Sequence, residues 1–233
     1  MKIGAFSITE ISLGKHNAKD TRLDKLCDIV KPKKKTYVQV EITGEDSLQD
    51  ADAILTLKDS RTDLILKDLE FVETRLSRAT EDAEKALLAK LKEILEKEDF
   101  VFNLALSEQE KKAIAVYGLL TNKPVIALES KDLADLDGLL VGILRDIGYN
   151  SFFTAGERES RAWLTKKGTN AWEASGLIHS DIQKGFIRAE VISFDDYIQA
   201  GGETQAKQAG YMRLEQKEYV MQDGDIVNFR FNK

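Results

Sequence analysis

The chain has 233 residues, 42% of them hydrophobic, which is enough for one or two domains with a buried core. Its net charge of −6, divided as 23 basic against 28 acidic residues up to Asn150 and 11 against 12 after it, excludes a polycation that binds nucleic acid through its overall field. The single cysteine, Cys27, excludes an intramolecular disulfide.

Taken in chain order, Lys2 to Ile8 reads as a buried first strand. The polar stretch LGKHNAKDTRLD that follows has no apolar periodicity, and Tyr37 to Val40 reads as the next strand. Ile65, Leu69, Val72, Leu76, Ala79, Ala83 and Ala86 alternate steps of four and three, the spacing of a coiled-coil seam. Thr80 before Glu81 and Asp82 is a fair N-cap, so this insert, about 64–100, is one long helix or an antiparallel hairpin. The acids of Glu81 to Glu98 alternate with lysines, as on an exposed helix face. Ser107 and Glu110 form a capping box for a helix running to about Leu120, closed by Asn122 and Pro124. Val125 to Ala127 reads as a strand and Leu133 to Ile147 as a helix, and Gly148-Tyr149-Asn150 as a domain boundary.

Beyond it, Arg161 to Leu164 and Lys184 to Ser193 read as strands. Between them Thr169 or Asn170 caps a short helix over Ala171 to Ala174, which Gly176 is expected to end. Asp223-Gly224 predicts a two-residue hairpin turn between Tyr219–Gln222 and Asp225–Phe231. Strands around one or two short helices in so short a segment predict a small mixed sheet of the β-grasp kind. No internal repeat, secretory signal or bilayer-spanning apolar run is seen, so a cytoplasmic protein without a membrane partner is expected.

Five motifs here, FFTAGERESRAW (Phe152 to Trp163), KGT (Lys167 to Thr169), IHSDIQKGFIRAEV (Ile178 to Val191), AGG (Ala200 to Gly202) and YVMQDGD (Tyr219 to Asp225), resemble the TGS domain that ends Obg-like ATPases of the YchF subfamily. A fainter echo, RLDKLCDIVKPKK (Arg22 to Lys34), resembles that family's nucleotide-binding domain. The resemblance implies a ubiquitin-like β-grasp domain over 151–233, preceded over 1–150 by a P-loop-NTPase-like α/β domain carrying the helical insert. It also implies association with ribosomes and binding of ATP or GTP.

The nucleotide-binding half departs from that pattern. A phosphate loop needs G-x-x-x-x-G-K-[ST], whose amides cradle phosphate while its Lys and hydroxyl serve phosphate and metal. At Gly14-Lys15 the first glycine is Thr9 and the hydroxyl residue is His16. The family's D-x-x-G aligns with Glu41-Ile42-Thr43-Gly44, and its base-reading Asn falls on Leu128, followed by Glu129. Lys15, Glu41, Gly44 and Glu129 are therefore the residual nucleotide-binding candidates, and ordinary NTP hydrolysis, which depends on positioning by these parts, is not expected. Neither a cofactor nor a catalytic residue is expected, and nucleotide binding is doubtful.

Two basic groups are candidates for RNA or another partner. Lys33, Lys34 and Lys35 form the densest basic run, which serves RNA phosphate or is a solvated connection. In the C-terminal half Arg161, Lys166, Lys167, Lys184, Arg188 and Arg230 are candidates, with Trp163 and Phe186 for stacking, although strand alternation sends several to opposite faces. Trp172 reads as packing. His179 invites an acid–base reading by residue type, but lacks a nucleophile partner and reads as a structural turn residue bonded to Asp181. Two histidines and one cysteine without paired spacing make no metal site. The expected function is noncatalytic binding or regulation around the ribosome or RNA, with no DNA partner. The alternatives are a weak ATPase or GTPase, and a TGS module that senses a small ligand.

Overall fold

The computed structural model describes residues 1–232. Its elements begin with β1 (Lys2–Phe6), β2 (Gly14–Ala18), α1 (Thr21–Val30), β3 (Lys35–Thr36), β4 (Val38–Thr43) and β5 (Ala53–Leu57). Helices α2 (Arg61–Arg78), α3 (Asp82–Glu96) and α4 (Glu108–Ile114) follow, then β6 (Val125–Leu128) and α5 (Leu136–Asp146). The remainder comprises β7 (Tyr149–Thr154), β8 (Ser160–Lys166), α6 (Ala171–Ile178), α7 (Ser180–Lys184), β9 (Phe186–Ile192), α8 (Phe194–Ala200), α9 (Glu203–Gln208), β10 (Arg213–Glu215) and β11 (Ile226–Phe231).

The chain forms two compact units: Met1–His16 with Val40–Leu136, and Asn17–Gln39 with the chain from Asp137 onward. This differs from a contiguous 1–150 domain, because 17–39 and 137–150 go with the C-terminal half. In that half α1 packs on β8 and α8, and β3 pairs with β8, with charge pairing beside them. Asp20 caps α1 by accepting from Arg22 N at 2.9 Å, and the Arg22 guanidinium spans Asp20 at 2.7 Å and Asp223 at 2.8 Å.

In the first unit the sheet order is β2-β4-β1-β5-β6, with β4, β1, β5 and β6 mutually parallel. Continuous burial along β1 and β5 is what parallel strands covered on both faces require. At Gly4 a Cβ would lie 2.7 Å from Leu48 Cδ2 and 3.1 Å from Ala51 Cβ, so any larger residue requires the buried Leu48 side chain to shift. The polar stretch without periodicity becomes β2 and the start of α1. The insert is a helical pair: α2 and α3 pack together around Ile65, Val72, Leu88, Leu91 and Leu95. The seam does not run through to Ala83 and Ala86, which are exposed, because the turn at 79–81 resets the helical phase. Glu81, not Thr80, is the N-cap residue of α3. The Ser107–Glu110 capping box forms, but α4 stops at Ile114 and a short 3-10 turn ends at Gly118 with φ +65°. The helix expected from Leu133 begins only at Leu136, after a 3-10 segment.

The second unit holds a mixed sheet of order β10-β9-β11-β7-β8-β3. β11 lies between antiparallel β9 and parallel β7, and α6 covers a core of Phe152, Ala171, Ala174, Val191, Val227 and Phe229. Asn170 and Glu173 form the capping box of α6, which continues through Gly176 to Ile178. At Gly176 a Cβ would sit 2.8 Å from the end of the Gln183 side chain, which would have to swing aside. The expected Lys184–Ser193 strand starts at Phe186, after α7 ends at Lys184. The Asp223-Gly224 hairpin does not form: 219–222 makes one isolated bridge, Asn170↔Val220, and β11 finds its partners elsewhere. Gly224 does take φ +91°, but the turn is held by side chains. Ser151 N donates to Asp223 at 2.9 Å and Gln222 N to Asp225 at 2.8 Å.

Candidate functional site

Parallel α/β sheets bind ligands beyond the carboxyl ends of their strands, and in the first unit those ends are Phe6, Thr43, Leu57 and Leu128. The first backbone donor past β1, Ser7 N, is already taken by Glu45 Oε1 at 2.9 Å, with Ser7 itself at φ +53°. Lys67 Nζ lies 3.9 Å from the second Glu45 oxygen. Thr9 N donates to Glu10 at 3.0 Å. Carboxylates of the chain thus occupy amides on this loop. Lys123 donates to the carbonyls of Leu48 at 2.8 Å and Ala51 at 2.8 Å, and to that of Gln49, fixing the turn after Gly44. Burial holds the Lys123 ammonium below the usual lysine range.

Of the residual nucleotide-binding candidates, Lys15 is exposed on β2, Glu41 is exposed on β4 and Gly44 opens the 3-10 turn. Glu129 pairs with Lys131 at 2.6 Å and Lys58 at 2.8 Å. Those hydrogen bonds, first from Lys131 and then from Lys58, hold its carboxyl below the usual range. No group of three or more potential metal-ligating side chains converges among the described residues.

In the second unit the basic run is largely engaged. Lys34 pairs with Glu159 at 3.1 Å and Lys35 with Asp24 at 2.5 Å, while Lys33 N donates to Glu157 O and its side chain stays exposed. The Glu159 carboxyl is held low by the Thr36 hydroxyl and then by Lys34. Arg161 lies 4.1 Å over the Trp163 ring. Trp163 stacks on core Phe152 and donates to Thr154 Oγ1 at 3.0 Å. Phe186 is buried against Phe229, so it offers no stacking face. Arg188 stands opposite Arg230 in the register, and Arg230 pairs with buried Glu190 at 2.9 Å. Lys166 and Lys184 are exposed, and Lys167 Nζ caps the Arg145 carbonyl at 2.8 Å. The candidates are therefore spread over a strand edge, a sheet face and a helix end.

His179 accepts from Asp181 N at 3.1 Å through Nδ1, as a turn residue does. Trp172 is 39% exposed and donates to the Gln183 carbonyl. The contacts of Glu45 and Lys123 and the pairing of Arg22 with Asp223 carry no local signature, since each joins groups distant in the chain.

A parallel α/β sheet with an inserted helical pair, joined in the chain to a small mixed sheet, defines a nucleotide-binding-like α/β protein. The fold matches that of the Schizosaccharomyces pombe YchF GTPase, with a TM-score of 0.76 at 20% identity over 99% of this chain and 97% of that one. A family model described as YchF-GTPase_C, a protein of unknown function (DUF933), matches residues 149–232. The ribosome-binding ATPase YchF of Bacillus subtilis is 30% identical over 277 residues, covering 91% of this chain and 74% of its own. That of Haemophilus ducreyi is 32% identical over 255 residues, covering 83% and 69%. Obg-like ATPase 1 of Xenopus laevis is 53% identical over 81 residues, 35% of this chain. The chain belongs to the YchF/Obg-like ATPase family. The Bacillus alignment is longer than this chain's 233 residues, so that relative has residues without counterpart here.

Proposed function

We propose that this chain is a ribosome-associated member of the family that binds rather than hydrolyses. The observation that carries the reading is the state of the loop after β1. It lacks the phosphate-loop signature, and Glu45 already accepts from Ser7 N at 2.9 Å. An incoming phosphate meets a carboxylate where it needs free amides, and like charge in that position costs affinity. Lys58 and Glu129, paired at 2.8 Å at the ends of β5 and β6, satisfy each other in the same way. The partner reading comes from the relatives, which are named ribosome-binding. On this reading the protein is cytoplasmic. No helix among the described residues is long and apolar enough to cross a membrane.

The C-terminal unit is read as a TGS-like β-grasp domain. Its support is the central β11, parallel to β7 and antiparallel to β9, with α6 across one face. The exposed side chains of Lys33, Lys166, Lys184 and Arg188 are its candidate RNA contacts. Co-sedimentation with ribosomes at low and high salt tests this reading. Salt-sensitive association that weakens on Lys33→Glu with Lys184→Glu is expected, and no association at low salt refutes it.

A second reading, residual ATP or GTP binding with slow hydrolysis through Lys15, Glu41, Gly44 and Glu129, is favoured by the relatives' being named ATPases. Calorimetry with ATP and GTP, with and without Mg²⁺, separates the two. Micromolar, Mg²⁺-dependent binding together with turnover, both abolished by Lys15→Ala, establishes the second reading and removes the claim that the chain does not hydrolyse.

A further inference from the structure

The outer edge of β8 is only partly covered. β3 pairs with it over two positions, Lys35↔Ser160 and Thr36↔Arg161. Because Ser160 N donates to Lys34 O at 3.0 Å, the even-numbered residues of β8 turn their backbone groups outward, while the odd-numbered ones face β7. Leu164 is left with an N–H and a C=O that no strand among the described residues takes up. An edge in this state is a template for another strand.

Along the same stretch a cleft of about 210 Å³ lies between Thr36–Gln39 and Arg161–Leu164. The guanidinium of Arg161 is fixed there by its stack on Trp163, and Trp163 by its own bond to Thr154. Arg161 Nε is buried without a hydrogen-bond partner among the described residues. From Ser160 to Gly168 the strand and its turn carry Arg161, Lys166 and Lys167 and no acid, and the neighbouring Glu159 is held by Lys34 and the Thr36 hydroxyl, so the guanidinium of Arg161 is the charge that favours an acidic partner.

We propose that the β8 edge takes an extended, acidic segment of a partner protein as a further strand. Its backbone pairs with the N–H and C=O of Leu164, and one of its carboxylates reaches the Arg161 guanidinium. The strand edge alone fits any peptide. Arg161 supplies the preference for acid.

The test uses the full chain and a fluorescein-labelled hexapeptide of alternating valine and glutamate, with anisotropy to follow binding and hydrogen exchange at the Leu164 amide to locate it. Saturable binding that protects Leu164 is expected. It weakens by roughly tenfold or more in Arg161→Glu, with Arg161→Lys intermediate because an ammonium lacks the planar fork. N-methylation of alternate peptide nitrogens abolishes it. Leu164 protection and the N-methylated peptide, both measured on the unaltered chain, decide the matter even where Arg161→Glu unfolds. Absence of saturable binding at millimolar peptide overturns the proposal, as does equal binding of the valine–lysine analogue. Protection of Leu164 by labelled oligouridylate, with none by the peptide, assigns the edge to RNA and overturns it equally.

Discussion

The bond between Arg22 and Asp223 spans 201 positions of chain and holds α1 to the C-terminal sheet, and its removal is the sharpest test of how that unit is built. Arg22 exposes 19% of its side chain, Asp20 5% and Asp223 25%. Asp223 also accepts from Ser151 N at 2.9 Å, and Arg145 stands 3.3 Å away on its solvent side. Deleting one partner of a fully buried pair costs about 3–5 kcal/mol. With Asp223 a quarter exposed and Arg145 available, Arg22→Met is expected to cost about 2–4 kcal/mol. Asp223→Asn costs less, about 1–2 kcal/mol, since Asn still accepts from Ser151 N.

The double variant is expected to fall short of the summed single costs by about 1–2 kcal/mol, the coupling of two groups in direct contact. Urea unfolding followed by circular dichroism and by Trp163 and Trp172 fluorescence measures all four corners of the cycle. The pH dependence adds an independent check. Burial pushes the Asp223 carboxyl up, but bonds from Arg22 and Ser151 N outweigh it and leave it below the usual range. A lowered folded value means the stabilisation is full above the unfolded value, about 3.9, and is lost as pH falls through the folded one. Asp223→Asn therefore flattens the acid limb of the stability curve. Additive single costs together with an unchanged acid limb refute the reasoning.

Three further outcomes follow from particular contacts. A Cβ at Gly185 would stand 1.9 Å from Asn232 O, so Gly185→Ala is expected to push the end of β11 aside, cost about 2–3 kcal/mol and speed exchange of the Asn232 amide, which donates to Gly185 O. Asp68 is buried and accepts from Leu120 N, Thr121 N and the Thr121 hydroxyl; Asp68→Ala is expected to cost about 2–4 kcal/mol in thermal or urea unfolding by stranding those donors. Burial raises the Asp68 carboxyl despite these bonds, so its contribution is greatest below the unfolded value and declines as pH rises through the folded one; the deficit of Asp68→Ala is larger at pH 4 than at pH 7. Ser107→Ala removes the capping box of α4 and is expected to cost about 1 kcal/mol, read as a fall in helical content and urea midpoint.

Local signals were legible wherever the deciding partner lies within a few residues. The capping box at Ser107 closes over three positions, as does the cap at Asn170, one of the two residues expected there, and the buried run of β1 needs only its own side chains to declare itself. The family motifs from Phe152 to Asp225 belong to this class, since they are contiguous. The Asp223-Gly224 pair shows the limit. Its dipeptide asks for a left-handed glycine and receives one, but which strands flank it depends on β9 and β7 competing for β11. In the same way the seven-position seam could not say where the helical pair breaks, and Phe186, a stacking candidate by its alternation, is drawn into the core by Phe229.

By itself, the amino-acid order determined the α/β character, the inserted helices and the family of the C-terminal half. These depend on periodicity and on contiguous motifs. Only the tertiary structure decided that 17–39 joins the C-terminal unit, that Glu45 occupies the amide after β1, and that the basic side chains divide among an edge, a face and a helix end. Each of these turns on charges or backbone groups brought together from distant positions, where pairing energy depends on distance and burial and leaves no trace in local order.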